Sequence, residues 1–443
     1  MRRMKTVKIS VNYFRMLLCA ILMALPIVAP AEEQATQNAH DWFRSNIRML
    51  LFGELQDPAH SSQNPDNAFL RLPRYSTSVQ FRPDLFADTT YVNWSFKPRV
   101  TATATWWRDG EPAGERDREA RFFVNEWMTQ VKPTNELFVS FGKEKLLWGA
   151  SFLVSPSNIL FRDTEKVNPK AEVEGKYLSR VLYLPNKAVT IAGISETQHE
   201  QDAFGGRLSP IRAVKVDVLG GSSQVSVIGY AQQNERFRFG SYGQWTASDA
   251  VVLYYDGIMS KGSDAFYPVP DSANPLGGGF TQRYKDSNRY FGVVTAGGTY
   301  TFLSGESASL EFLYNGAGYD DADAEGYYAL RRNAAGHYFD TSALAGLSRR
   351  TLAGSLNTGT SFLRRYYLMV QVQEREIGNV LDVLLRYVRS LEERSGQVAV
   401  ILEWQATKRL QIFSINTVAV GAKDTEFSSI LAKSFIAGIE LHF

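Results

Sequence analysis

YVNWSFKPRVTATATW, residues Tyr91–Trp106, places Val92, Trp94, Phe96, Pro98, Val100, Ala102, Ala104 and Trp106 at its even positions. The odd positions, Tyr91, Asn93, Ser95, Lys97, Arg99, Thr101, Thr103 and Thr105, are nearly all polar. A period of two puts the two sets on opposite faces of one strand. Soluble strands usually run to about five or six residues. A segment this long suits a tilted strand that crosses a bilayer with one face to lipid and one to water. Trp94 and Trp106 would then sit at the two membrane interfaces. Pro98 has no N–H to give the ladder, so a local bulge or kink is expected there.

Working outward, Tyr75–Arg82, Gln224–Gln232, Arg236–Trp245, Tyr290–Phe302, Phe362–Glu374 and Gln397–Thr407 carry the same pattern, and the whole chain holds about eighteen such segments, with sixteen as the alternative. The connections alternate in length. Lys132–Glu136, Pro185–Ala188, Gly220–Ser223, Leu303–Ser307, Glu376–Asn379 and Thr407–Arg409 are short, whereas Gln56–Leu72, Arg108–Glu119, Gly149–Lys176, Ser260–Ser287 and Ala317–Thr358 are long. Short periplasmic turns and longer outer loops are how bacterial outer-membrane barrels are built. Gln233–Glu235 and Glu392–Gly396 are short where outer loops are expected, which leaves the count open by two. The pairs Trp106-Trp107, Tyr254-Tyr255 and Tyr366-Tyr367 suit interfacial girdles. A propeller or β-helix would need an internal repeat of fixed period, and none is present.

The N-terminus reads as an export signal. Arg2, Arg3, Lys5, Lys8 and Arg15 precede an apolar run from Met16 to Val28, and Ala29-Pro30-Ala31 offers small residues at the cleavage positions. We expect a signal peptide at 1–31, a periplasmic segment at 32–44 and the barrel over 45–443. Cleavage after Ala31 removes Cys19, the sole cysteine, and excludes disulfides and cysteine-ligated metals. It also leaves 43 basic against 46 acidic residues, a balance that gives no footprint for nucleic acid. No later run of about eighteen apolar residues could form a transmembrane helix. Aromatic content is 13% in a chain that is slightly polar overall, as expected where only alternate strand residues meet lipid.

The C-terminal stretch repeats the alternation, with Phe435, Ala437, Ile439, Leu441 and Phe443 against Ser434, Ile436, Gly438, Glu440 and His442. An alternating last strand that ends on Phe resembles the assembly signal of Gram-negative outer-membrane barrels. That resemblance implies an outer-membrane location, recognition of Phe443 by the barrel-assembly machinery, and contact with membrane lipid and lipopolysaccharide. An eighteen-strand count is similar to that of sugar- and carboxylate-specific porins and of the alginate exporter.

Strand parity sends Arg48, Arg82, Lys97, Arg99, Lys215, Arg236, Arg238 and Arg386 inward, against Glu54, Asp217, Asp382, Glu403 and Glu440. Lys97, Arg99, Arg236, Arg238, Glu403 and Glu440 are the pore-lining candidates. A basic excess along a confined aqueous path favours anions, unless the charges pair across the barrel. Phe138–Phe141 is a plausible strand, and after it Gly149–Lys176 carries Phe152, Leu153, Val154, Ile159, Leu160 and Phe161 around Ser155-Pro156-Ser157. Apolar side chains in an outer connection are covered if it folds into the barrel mouth. The arrangement is similar to general porins, whose third outer loop narrows the pore. Phe152, Ser155, Ser157 and Phe161 are the constriction candidates. Gly142-Lys143, Trp148-Gly149 and the following Ser-Pro-Ser resemble a segment of porin and polysaccharide-export barrels.

His40, His60, His199, His337 and His442 fall in no metal-binding or nucleophile–base spacing, so we expect neither an enzyme nor a cofactor. The reading is an all-β, up-and-down antiparallel transmembrane barrel that passes small hydrophilic, preferentially anionic, solutes. A polysaccharide exporter or surface-assembly barrel and a loop-plugged surface scaffold or receptor are the alternatives.

Overall fold

The strands follow from alternation wherever one face must be apolar and the other can be polar. The computed structural model describes residues 42–107, 117–161, 168–198, 210–232, 237–285 and 287–443. The signal segment at 1–31, most of the expected periplasmic segment and Arg236 lie outside the described residues.

The first half of the barrel comprises β1 (Phe43–Pro58), β2 (Tyr75–Asp88), β3 (Val92–Trp106), β4 (Arg118–Val131), β5 (Leu137–Glu144), β6 (Lys176–Asn186), β7 (Val189–Glu196), β8 (Ile211–Leu219) and β9 (Ser223–Gln232). The chain continues through β10 (Arg238–Ser248), β11 (Val251–Lys261), β12 (Tyr267–Pro270), β13 (Gly278–Thr281), β14 (Tyr290–Thr301) and β15 (Ser307–Asn315). It ends with β16 (Tyr366–Ile377), β17 (Leu381–Ser390), β18 (Ser395–Thr407), β19 (Leu410–Gly421) and β20 (Leu431–His442). β12 and β13 form a separate hairpin, and the other eighteen strands make one sheet. It closes because β1 pairs antiparallel with both β2 and β20, Arg48 lying opposite Arg82 on one side and His442 on the other. The sheet counts eighteen strands rather than sixteen, with β17 and β18 paired across the short connection after Ser390; the other short connection, 233–235, lies outside the described residues.

The exterior is apolar. Phe122 is 63% exposed, Val214 57% and Leu310 55%, and each points away from the barrel by parity. Such a surface is what a bilayer requires and water penalises. Within β3 the inward residues Ser95 and Arg99 are buried. The expected irregularity at Pro98 is present: the β3–β4 register slips between Lys97 and Pro98, leaving Asn125 as the extra residue. On the β2 side, ladder pairs are missing between Phe81↔Val100 and Leu85↔Phe96, where Pro83 stands opposite Pro98. The aromatic pairs are divided by the same period. Tyr255 and Tyr366 face outward while Tyr254 and Tyr367 are buried inward, so only half of each pair can serve a girdle.

The long connection after β15 is more ordered than its sequence suggests. It folds into α1 (Asp321–Gly336) and α2 (Ala343–Leu356). Asp320 caps α1 by accepting from the Asp323 N–H at 2.9 Å, and Ser342 caps α2 at Leu344, two standard helix-start devices. These helices join the β12–β13 hairpin and the connections β1–β2 and β19–β20 in a cap. Fully buried Arg331 bonds Asp424 at 2.6 Å and Ser429 at 2.9 Å, Gln63 donates to the Leu352 carbonyl, and Tyr338 to that of Ala68.

Candidate functional site

The interior of the barrel is occupied by residues 145–161 and 168–175, which leave the wall at the end of β5 and return to it at β6. Two parts of this segment reach opposite arcs of the wall.

The first part meets β11 and β15. Phe152 and Leu153 donate their backbone N–H groups to the Glu311 carboxylate at 2.7 and 3.0 Å, and the Ser151 hydroxyl donates to it as well. The Ser157 N–H donates to Asp256 at 2.8 Å, while the Tyr230 hydroxyl donates to the Ser157 carbonyl. Glu311 and Asp256 are fully buried, and these bonds supply acceptor partners for a loop backbone removed from water. Gly149 has φ of 109°, and a Cβ there would stand 2.2 Å from the Asp256 carboxylate. Only glycine fits this approach. The apolar side chains follow the same docking: Leu160 and Phe161 pack on Leu178, Ile194, Ala213 and Ile228 of β6 to β9. Leu153 packs on Leu313, Tyr367, Met369 and Val388, with Phe152 against this cluster and edge-on to Tyr254 at 5.5 Å. Thus part of the inner wall is apolar because a loop covers it.

The second part meets β1 to β3 and β18 to β20. The Arg99 guanidinium, 1% exposed, bonds Glu172 at 2.7 and 2.8 Å and Asp84 at 2.8 Å. Its remaining amine donates to the carbonyls of Pro83 and Pro98 at 2.9 Å, filling the gap those prolines leave in the ladder. Arg82 lies 3.4 Å from Glu172 and donates to the Lys170 carbonyl. Lys170 bonds Glu403 at 2.7 Å, Glu440 at 2.8 Å and Gln411 at 2.6 Å. Arg48 stands 3.4 Å from Asp84 and 3.5 Å from Glu440. Arg48, Arg82, Arg99 and Lys170 therefore face Asp84, Glu172, Glu403 and Glu440, four charges of each sign.

Of the pore-lining candidates, Arg99, Glu403 and Glu440 come together in this network. Lys97 pairs separately with Glu126 at 3.1 Å. Arg238 lies across the barrel, 2.6 Å from Asp264, and lines a cavity of about 150 Å³ with Val154, Ser155, Asn315 and Phe362, between the inserted segment and the cap. Phe152, Ser155, Ser157 and Phe161 all belong to the inserted segment. Phe443 donates its N–H to the Ile47 carbonyl at 3.0 Å, and its ring is exposed. Sequence reasoning missed Asp256, Glu311, Lys170 and Glu172. A signal existed for the first two, each being an acidic residue at an inward position of an alternating strand.

No family model matches the chain, nor does any curated protein. Among solved structures it is similar to OccAB1 of Acinetobacter baumannii, with 10% identity, a TM-score of 0.54, and coverage of 93% of this chain and 100% of that one. The fold is that of an outer-membrane porin. The porin-type barrel is also similar to OccK11 (OpdR) of Pseudomonas aeruginosa, at 9% identity and a TM-score of 0.52, over 90% of this chain and 96% of that one. At identities this low the likeness is one of architecture, and it transfers no residue.

Proposed function

We propose that this porin-type barrel lies in the outer membrane of a Gram-negative bacterium and is a diffusion channel for small hydrophilic solutes. Residues 149–161 set its narrowest path. The observation that carries the reading is the attachment of one inserted segment to opposite walls, through Glu311 and Asp256 on one side and Arg99 on the other. Such a segment divides the lumen and leaves any path along its edges, where field lines from fixed charges are focused. The anion preference expected from the basic count is weak in this proposal. Lys97, Arg99 and Arg238 each lie within salt-bridge distance of a carboxylate, so their potential is partly cancelled.

A loop-plugged scaffold or receptor is the second reading, favoured by the bonding of several outer connections into one cap over the mouth. Single-channel recording in planar bilayers separates the two. Deletion of Ser151–Phe161 raises conductance if these residues narrow a path. A folded barrel silent both with and without the segment overturns the channel reading.

A further inference from the structure

The outer connections hold a second site, apart from the lumen. A pocket of about 450 Å³ opens above the outer end of β14, between the β12–β13 hairpin and the start of α1. This lies within the range of small-molecule sites, about 300–1,000 Å³. Three guanidinium groups converge on it, from Arg283, Arg289 and Arg365, with the carboxylates of Asp320 and Asp323. Three positive groups against two negative leave one net positive charge.

Ring stacking fixes the geometry. The Arg283 guanidinium lies 4.7 Å from the Tyr267 ring centroid and 5.6 Å from that of Tyr284. Arg289 lies 5.4 Å from Tyr284 and 5.1 Å from Phe291. A guanidinium stacked by its face keeps its N–H edge free to fork onto an oxyanion. Two of the three are already engaged, Arg283 with Asp323 at 2.5 Å and Arg365 with Asp320 at 3.3 Å. Among the described residues the Arg289 side chain has ring contacts and no carboxylate within salt-bridge distance. The two aspartates are acceptors for hydroxyl groups, which a plain anion site does not need.

We propose that this pocket binds a phosphorylated sugar, with the phosphate on Arg289 and Arg283 and sugar hydroxyls on Asp320 and Asp323. Tyr290, next to Arg289, is 64% exposed at the outer end of its strand, where interfacial aromatics meet lipid headgroups. The phosphosugar therefore comes either from an outer-leaflet glycolipid or from solution.

The test is binding to the detergent-solubilised, heat-modifiable barrel, a readout independent of conduction. Glucose 1-phosphate and glucose are titrated as one pair of probes. Mixed micelles carrying an acylated glucosamine disaccharide, with or without its phosphates, are the other. The expected result is binding of a phosphorylated probe that weakens at least tenfold in Arg289→Ala and is partly kept in Arg289→Lys, which preserves charge but loses the fork. Binding of glucose 1-phosphate supports the proposal with a soluble source, and binding confined to the phosphorylated micelles supports it with a lipid source. Equal binding of the unphosphorylated probes, unchanged binding in Arg289→Ala, or no binding of any probe overturns it. Among the described residues the Arg289 side chain contacts the rings of Tyr284 and Phe291 and no carboxylate, so its variants leave the barrel to fold.

Discussion

Glu311→Gln tests the attachment of the inserted segment at its most concentrated point. The carboxylate accepts from three donors, the N–H groups of Phe152 and Leu153 and the Ser151 hydroxyl. A glutamine of the same shape offers one acceptor oxygen and turns an NH₂ group toward at least one N–H. Hydrogen bonds to a charged group contribute roughly 1.5–3 kcal/mol each, and leaving a buried donor unpaired costs a comparable amount. The substitution should therefore weaken docking of the segment by about 2–4 kcal/mol, a change of roughly 30- to 1,000-fold in the ratio of docked to undocked states. Amide hydrogen exchange reads that ratio directly, so protection at Phe152 and Leu153 should fall by the same factor while protection in β11 and β15 holds. In planar bilayers the variant should show added current noise and brief excursions to higher conductance. Unchanged protection at both amides, in a barrel that remains heat-modifiable, would refute the argument that Glu311 holds the segment in place.

Other outcomes follow from the same structure. Arg99→Ala removes the cation that Glu172 and Asp84 share and leaves them only the longer contacts to Arg82 and Arg48 at 3.4 Å, so it should lower stability by about 3 kcal/mol, the low end for a broken buried pair, seen as an earlier thermal transition. Addition of Glu172→Ala should recover part of that loss. In the outer cap, burial is the largest influence on Glu426 and pushes its carboxyl up to about 7 from an ordinary 4.5, while bonds from Tyr367 and the Leu363 N–H oppose the shift and Glu393 adds to it. Because the folded form holds the proton more tightly, its contribution is complete below the ordinary value and is lost as pH rises through 7, at most about 3 kcal/mol. Proteolysis of the cap should therefore quicken between pH 5 and about 8, and Glu426→Gln should flatten the profile. Cysteines at Ala273 and Ala335 should react with an impermeant reagent on intact cells, whereas labelling at Thr134 or Lys187 would invert the topology. Deleting Phe443 should lower the yield of folded barrel in the membrane fraction, and an unchanged yield would remove it from assembly.

Alternation alone determined the barrel. A one-residue slip would turn every side chain of β3 over, so the apolar set from Val92 to Trp106 fixes which face meets lipid without knowledge of any neighbour. Pro98 marked its own irregularity for an equally local reason, a missing donor. Parity also sent Arg99, Glu403 and Glu440 inward, and the apolar content of 149–176 required cover. The sequence reading took 317–358 as a plain outer connection and did not find α1 and α2, because Asp320 and Ser342 cap alanine- and glycine-rich stretches with little amphipathic contrast. Which charges meet was decided by tertiary structure alone. Parity gives a face, but not a position around the circumference. Arg99 and Glu172 are 73 residues apart, one on β3 and the other in the inserted segment, and they meet only once that segment lies inside the closed sheet. The basic excess read from strand parity and the balanced arc seen in the barrel are therefore consistent: a count of inward charges is a property of the chain, and the potential they produce depends on pairing distances that only the closed sheet and its inserted segment set.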